Sequence, residues 1–493
     1  MHLLRFPSRI RASELSPEER EWLVAQLEFQ VKIENNKTEP LLLWSDKRDE
    51  FPSGLLHYIA RGAKKMGFAV TVDDRRTPPN KPAFEMLDWV YFKAPIEPED
   101  PKGPWFWSPL RPDQREPILT LYKRTQGIIE ATTGAGKGAM VVGIVSVSDS
   151  IRWGIFAPTN ELIDDLYNRL TANGYDVGRF TADYEDIKPI TLFSYGKLNA
   201  LRNSKDPADR AHYKSVLASL QGVIVDECHL AASEVRALIL RYCVNAYWRF
   251  GLSGTPEDRS DGRTPVMVGM LGPVMARITY QDLLEKKAVA EADIFMILFR
   301  HKDPADRRTY THFYKANIVN NAARNRLVRR LVKMSMKPAF VFAKFKKHVM
   351  DIYDRCGSDG INADFACDTV KKPRKLQMLA SMRSGDIDVI CTTPKTFGTG
   401  IDVPGLMTVI NAGGGESAVD STQTVGRGMR RAKARFIVLD IYDLGFKRQD
   451  GSPAAFEKNA RERMRTYLKK GYKVSIFEYD YSNDTLIPYK REV

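Results

Sequence analysis

The segment GIIEATTGAGKGAMVVGIVSV, residues 127–147, constrains this chain more than any other feature. An apolar strand, a glycine-bearing turn and an apolar helix follow one another without a spacer, the order that feeds a parallel sheet rather than a hairpin. In such a turn the backbone N–H groups of Thr133, Gly134, Ala135, Gly136, Lys137 and Gly138 converge with the helix N-terminus on an anion. Lys137 adds a mobile positive charge. This is the pattern of a phosphate-binding loop with one departure. Gly138 stands where a serine or threonine hydroxyl usually helps to hold Mg²⁺, so the metal must use water or a neighbouring hydroxyl such as Thr132 or Thr133. Mg²⁺ keeps several waters in such sites, so the loss weakens the metal position without removing it.

The strand–loop–helix rhythm continues through WGIFAP, PITLFS, GVIVDE and WRFGLSG, and a second series follows in PAFVFA, INADFA, DVICTT, TVINAG and RFIVLDIYD. Two α/β lobes joined near Leu283 to Asp293 are the simplest architecture for that pattern. At 493 residues the chain has room for about three domains. The third lies upstream, where SGLLHYIARGAKKMG sets Leu55, Ile59, Gly62 and Met66 on one helical face and FAVTVDD alternates like a strand. Nine prolines between Pro78 and Pro112 then mark a linker or a strapped-down loop. The expected domains are therefore residues 1–104, 105–285 and 286–493.

Charge and composition narrow the class. No apolar run approaches the ~20 residues of a membrane span, and the N-terminus has too short an apolar core for a secretory signal. The five cysteines form no CxxC pair, which leaves no zinc or disulfide framework to expect. A cytoplasmic protein without a membrane partner is the expectation. The formal net charge of +14 favours a polyanionic partner, since cations that neutralise phosphates gain from counterion release.

Two further stretches belong with the loop. GVIVDECHL ends an apolar strand in Asp226 and Glu227, an arrangement in which the first carboxylate holds Mg²⁺ and the second orients and activates water. AVDSTQTVGRGMRR, read as a helix, sets Gln423, Gly426, Arg427 and Arg430 on one face. Arginines there suit the charge that spreads over a transferred phosphoryl group.

With these motifs in order, the chain resembles a superfamily 2 helicase over most of residues 105–445. LRPDQ resembles the glutamine motif, ATTGAGKG motif I, FAPTNEL motif Ia, TLFSYGKL motif Ic, DECH motif II, LSGTP motif III, FVFAKFKKHV motif IV, TFGTGIDVP motif V and QTVGRGMR motif VI. The resemblance implies an α/β fold of two tandem RecA-like lobes with parallel sheets, preceded by a small α+β domain. It implies ATP with Mg²⁺ as cofactors. Gln114 would lie near the adenine, His229 would couple motif II to Gln423, and Gly400 and Asp402 would lie near the ribose. Ser253 and Thr255 would relay nucleotide state to a nucleic-acid surface formed by Pro158, Thr159, Ser194, Tyr195, Lys344 and Thr399. Contact with the phosphate backbone reads no sequence, which suits a motor that steps along any strand.

DECH, SGT and Gln423, in place of DEAD, SAT and a histidine, make the chain more similar to DNA translocases than to DEAD-box RNA helicases. DECHLA followed by WRFGLSGTPEDRSDGR, with MLGPV and FGTGI, resembles phage UvsW-type branch-migration helicases and, more distantly, XPB and the type III restriction motors. That resemblance implies ATP-driven unwinding or branch migration of forked and junction DNA in replication restart, recombination and repair. It implies a duplex contact by the N-terminal domain, a monomer working beside recombination or replication proteins, and a bacterial host cytoplasm. Two alternatives stand beside it: a nucleotide-gated nucleic-acid binder with little turnover, and an RNA helicase.

Overall fold

The computed structural model describes residues 1–33, 37–93, 105–257, 261–301, 310–367, 370–397, 405–414, 435–445 and 455–489. They fall into two compact units, one within Met1–Ala94 and Pro104–Ile278, the other within Thr279–Val493.

The first unit is built on a seven-stranded sheet in the order Val177–Phe180, Ile190–Ser194, Trp153–Ala157, Gly222–Asp226, Trp248–Ser253, Gln126–Ala131, Val274–Ile278. Every neighbouring pair is parallel. A parallel sheet needs cover on both faces, which explains why Ile128, Ile155, Phe156, Ile224, Phe250 and Leu252 are all buried whichever way they point. Because all seven strands run one way, their carboxyl ends share one edge, where ligands of open α/β sheets bind.

The N-terminal residues form a four-stranded sheet in the order Glu50–Pro52, Arg9–Ser13, His2–Arg5, Thr71–Asp74. Helix Pro17–Gln26 opens with a capping box, in which Ser16 accepts from the Glu19 amide while Glu19 accepts from the Ser16 amide. This region shares one hydrophobic core with the parallel sheet, Leu3, Ile10, Leu23 and Phe51 joining Phe156, Val223 and Leu271. The junction is close. A Cβ on Gly54 would lie 1.9 Å from the Val268 carbonyl oxygen, and Gln126 donates to the Ser53 carbonyl at 2.9 Å while accepting from its hydroxyl at 3.2 Å. Gln126 opens the strand that leads into the phosphate-binding loop, so the N-terminal fold is bonded to the base of that strand.

One expectation needs adjustment. Helix Leu56–Lys65 buries Ile59 and Ala63, with Leu55 buried at its N-cap, whereas Met66 is 57% exposed, because the helix ends at Lys65 and Met66 is its cap. Of the two readings of the proline-rich stretch, linker or strapped-down loop, its described residues fit the second. It carries a 3₁₀ turn at Phe84–Asp88 and pairs Val90–Lys93 antiparallel with Trp105–Ser108, prolines 95, 98, 101 and 104 falling between the two strands.

The second unit holds an eight-stranded sheet in the order Ala363–Ala366, Val389–Thr392, Ala339–Phe342, Thr408–Asn411, Phe436–Leu444, Ala292–Arg300, Lys473–Asp480, Thr485–Pro488. All pairs are parallel except the last. Ile297, Leu327, Leu331, Val341, Val349 and Ile441 centre its core. Two sheets of parallel strands, each wrapped by helices, with a small α+β region at the N-terminus, are the fold that the sequence pattern implies. Among the described residues no helix is long and apolar enough to cross a membrane.

Candidate active site

The turn after strand Gln126–Ala131 passes through Gly134 at φ +95° and Gly136 at φ +85°, then enters helix Lys137–Val147. Both angles lie in the left-handed region that only glycine adopts without strain. Gly136 has a second reason to lack a side chain, because a Cβ there would lie 2.4 Å from Nε2 of Gln114. Gln114 sits in the first turn of helix Pro112–Arg124 and is buried. Its Nε2 donates to the Ala135 carbonyl at 2.9 Å and its Oε1 accepts from the Arg111 amide at 3.2 Å. Arg111 Nη2 donates to the same carbonyl at 3.0 Å. The glutamine expected beside an adenine is thus fixed by the loop itself, and Arg111 reinforces it. Thr132 is buried, its amide donating to the Ile278 carbonyl at 3.1 Å, while Thr133 is half-buried.

Across the carboxyl edge, Lys137 Nζ lies 3.2 Å from Glu227 Oε1, both side chains keeping some exposure. Asp226 is buried at the last position of strand Gly222–Asp226, and its Oδ1 accepts from the Glu227 amide at 2.9 Å. Burial and then the Glu227 charge push the Asp226 carboxyl up, against the pull of Lys137. Glu227 turns the chain at φ +48°, a left-handed angle costing a residue with a Cβ roughly 1–2 kcal/mol. That strained turn sets Glu227 within reach of Lys137, beside Asp226.

His229 meets Ser253 Oγ at 2.9 Å through Nδ1, and the Thr255 amide donates to the same hydroxyl oxygen at 3.1 Å. His229 also lies 3.5 Å from Glu227 Oε2. The acidic pair is therefore wired directly to the end of strand Trp248–Ser253. Its expected partner Gln423 lies outside the described residues, as do Thr399, Gly400, Asp402, Gly426, Arg427 and Arg430.

Of the expected nucleic-acid contacts, Pro158, Thr159 and Ser194 stand half-buried at the same carboxyl edge, where strands Trp153–Ala157 and Ile190–Ser194 pair Ala157 with Ser194. Thr159 caps helix Asn160–Ala172, its hydroxyl accepting from Leu162. Tyr195 departs from expectation: its ring is 8% exposed, packed 5.7 Å from Phe156 and 5.0 Å under the Arg236 guanidinium. A tyrosine opening a helix at a strand end turns inward here because Phe156 and Phe193 already form an aromatic floor. Lys344 is exposed in the second unit just past strand Ala339–Phe342, 5.3 Å from the Tyr314 ring.

Arg169 escaped sequence reasoning. It lies on helix Asn160–Ala172, ion-paired to Asp165 at 2.8 Å, and its Nε would stand 3.0 Å from a Cβ on Gly138. The i,i+4 pairing with Asp165 was readable, but nothing local indicated what that helix faces. The donor set at this edge, a glycine loop, one ammonium and two carboxylates, fits a triphosphate with a divalent cation on Asp226.

Comparison with known proteins agrees with this geometry. Residues 108–258 match the family model of the type III restriction enzyme res subunit, and residues 323–432 match the helicase conserved C-terminal domain. The chain is 29% identical over 227 residues to the ATP-dependent DNA helicase uvsW of Enterobacteria phage T4, covering 44% of each protein. It is 24% identical over 390 residues to the DNA 3'-5' helicase XPB of Kineococcus radiotolerans, covering 76% of this chain and 65% of that protein. The chain therefore spans less than two thirds of the length of these curated relatives. In fold it is similar to a solved fragment assigned to the HsdR subunit of a type I restriction enzyme from Vibrio vulnificus YJ016. That match has a TM-score of 0.55 at 15% identity, over 93% of this chain and 79% of that one.

Proposed function

The chain is a superfamily 2 helicase, and on that premise we propose that it hydrolyses ATP to drive translocation on DNA, unwinding or branch-migrating forks and junctions in replication restart, recombination and repair. The observation that carries this reading is the Lys137–Glu227 pair at 3.2 Å beneath the Gly134–Gly136 turn, with Asp226 beside it at the carboxyl edge of a parallel sheet. Bound ATP with Mg²⁺ supplies the phosphoryl group and the metal charge that polarises it. The loop amides and Lys137 would bind the β- and γ-phosphate oxygens, and Asp226 would hold the metal. Glu227 orients the attacking water and takes its proton on the carboxylate. Gln423, Arg427 and Arg430 are the proposed source of further positive charge on the γ-phosphoryl oxygens, and Gly400 and Asp402 of ribose contacts.

His229, Ser253 and Thr255 give nucleotide state a route from the carboxylates toward Pro158, Thr159 and Ser194, where the phosphate backbone would run, with Lys344 and Thr399 contributing from the second unit. Tyr195 would contribute through its backbone. Duplex contact falls to the N-terminal fold, whose helix Leu56–Lys65 exposes Arg61, Lys64 and Lys65.

The test is ATP turnover with single-stranded DNA, duplex DNA and RNA, alongside unwinding of forks, four-way junctions and tailed duplexes. The expected result is DNA-stimulated turnover with faster processing of forks and junctions than of tailed duplexes. Stimulation by RNA alone moves the chain to the RNA helicases. Gly138 motivates the other reading, a nucleotide-gated binder, and absence of stimulated hydrolysis in both Mg²⁺ and Mn²⁺ would establish it.

A further inference from the structure

Gly138 is not merely a lost hydroxyl, because the space beside it is filled. A Cβ built on Gly138 would lie 3.0 Å from Nε, 3.1 Å from Cδ and 3.5 Å from Cζ of Arg169. Contacts that close require a neighbour to move by a few tenths of an ångström. Arg169 is oriented there by Asp165, whose Oδ2 accepts from Nε at 2.8 Å, both side chains keeping some exposure. The two residues lie one turn apart on helix Asn160–Ala172, where an acid four residues ahead of a base is the favourable orientation. The guanidinium is thus carried into the first turn of the loop helix, where in the usual pattern a serine or threonine oxygen reaches toward the metal and the phosphates.

An arginine there differs from a hydroxyl in two ways. It is a permanent cation with donors in a fixed fork, suited to phosphate oxygens, and it repels a metal ion instead of ligating it. The same helix begins at Thr159 and Asn160, so the residue that fills this corner is rigidly carried by the element leading from the carboxyl edge.

We propose that Gly138 and Arg169 are a matched pair. In it Arg169, held by Asp165, is a second cation of the triphosphate site, taking the room of the missing side chain and contacting phosphate oxygens directly. The inference rests on the ATP reading above and deepens it. Charge on the triphosphate is met by Lys137 and Arg169 together, so nucleotide binding leans less on the metal than in a site with the hydroxyl. Gly138→Ser presses on Arg169, which must give by a few tenths of an ångström unless it is shortened too.

The test is equilibrium binding of ATP to the full chain in EDTA and again in Mg²⁺, for wild type, R169A, R169K, D165N, G138S and G138S/R169A. Thermal unfolding midpoints serve as the check on folding. R169A should weaken metal-free ATP binding by about tenfold, the usual consequence of removing one charge-assisted contact. R169K should restore part of it, and D165N, which only frees the guanidinium, should fall between. G138S should bind more weakly than wild type. G138S/R169A should bind ATP in Mg²⁺ more tightly than R169A and reach half-maximal turnover at lower Mg²⁺. Unchanged metal-free binding in R169A, or wild-type binding in G138S, overturns the matched pair while ATP binding sensitive to K137A stands. Wild-type protein lacking any K137A-sensitive ATP binding overturns both this inference and the reading it rests on.

Discussion

The first unit ends a strand in Asp226, with Glu227 next to it, whereas the second carries Asp440 and Asp443 within strand Phe436–Leu444, and the surroundings of the two pairs are opposite in kind. Asp443 accepts from Arg324 at 2.7 and 2.9 Å and pairs with His301 at 2.8 Å. Asp440 accepts from Arg463 at 2.9 and 2.8 Å, from the Tyr467 hydroxyl at 2.9 Å and from Asn411 at 3.2 Å. Both aspartates and both arginines are fully buried. In the first unit Asp226 is also buried, but Lys137 reaches Glu227 from a partly open edge. Burial alone would raise either carboxyl. Arg324 and His301 override it at Asp443 and hold that group down to about 2, while at Asp226 burial and Glu227 win and the group is pushed up. A buried carboxylate with cations enough is structure; one left short of positive charge is a place for a cation to come.

The largest effect that bears on this contrast is chemical. Lys137→Ala and Glu227→Gln should each lower DNA-stimulated ATP turnover by about 10²-fold or more, since each removes a group acting on charge that develops in the transition state. Their urea midpoints should stay near wild type, because neither side chain is sealed in the core. A loss of stability as large as the loss of turnover would place the pair with the structural carboxylates and erase the distinction.

The next effect is thermodynamic. Asp443→Asn leaves the Arg324 guanidinium fully buried without its carboxylate, a change that costs about 3–5 kcal/mol. It should move the unfolding transition of the second unit to lower urea while metal-free ATP binding stays at the wild-type value. Urea titration followed by far-UV circular dichroism, beside an ATP titration, measures both. Retained stability would mean that the buried pair contributes no more than a surface one.

The same contrast explains what was legible in the sequence. The loop, the Asp226–Glu227 strand end and most strands of both sheets are local patterns, readable from a dozen consecutive residues. What escaped depends on distant segments meeting. Gln114 holding Ala135 and Arg169 filling the space at Gly138 are set by helix packing, and His229 on Ser253 by which strands neighbour each other. Val177–Phe180 and Val274–Ile278 carry little strand signal, because each is four or five residues long and interrupted by arginine. Ala292–Arg300 begins where the expected connection of Leu283 to Asp293 ends, and an apolar run alone does not say whether it is strand or helix. The buried charge networks of the second unit were illegible for the same reason as Arg169, since Arg324 and Asp443 are far apart in sequence.

The smallest effect is a pH dependence confined to the second unit. His348 is fully buried, its Nε2 3.0 Å from Asn325 Oδ1, and burial, then the Arg324 charge, depress its pKa to about 3. The unfolded chain binds that proton near pH 6.5, so between about 6.5 and 3 the unfolded state holds more protons than the folded one. Stability is then fully present above pH 6.5 and falls as the pH drops, by about 1 kcal/mol per unit once below it. The charged groups nearest the ring have opposite effects, Arg324 and Arg355 keeping it neutral and Asp443 favouring the proton, with the arginines prevailing. Thermal unfolding of the wild type should therefore shift down between pH 7.5 and pH 5.5, and the shift should shrink in His348→Gln, whose amide can donate to Asn325 without titrating. An equal shift in both proteins would move the acid sensitivity elsewhere and leave the charges of the second unit purely structural.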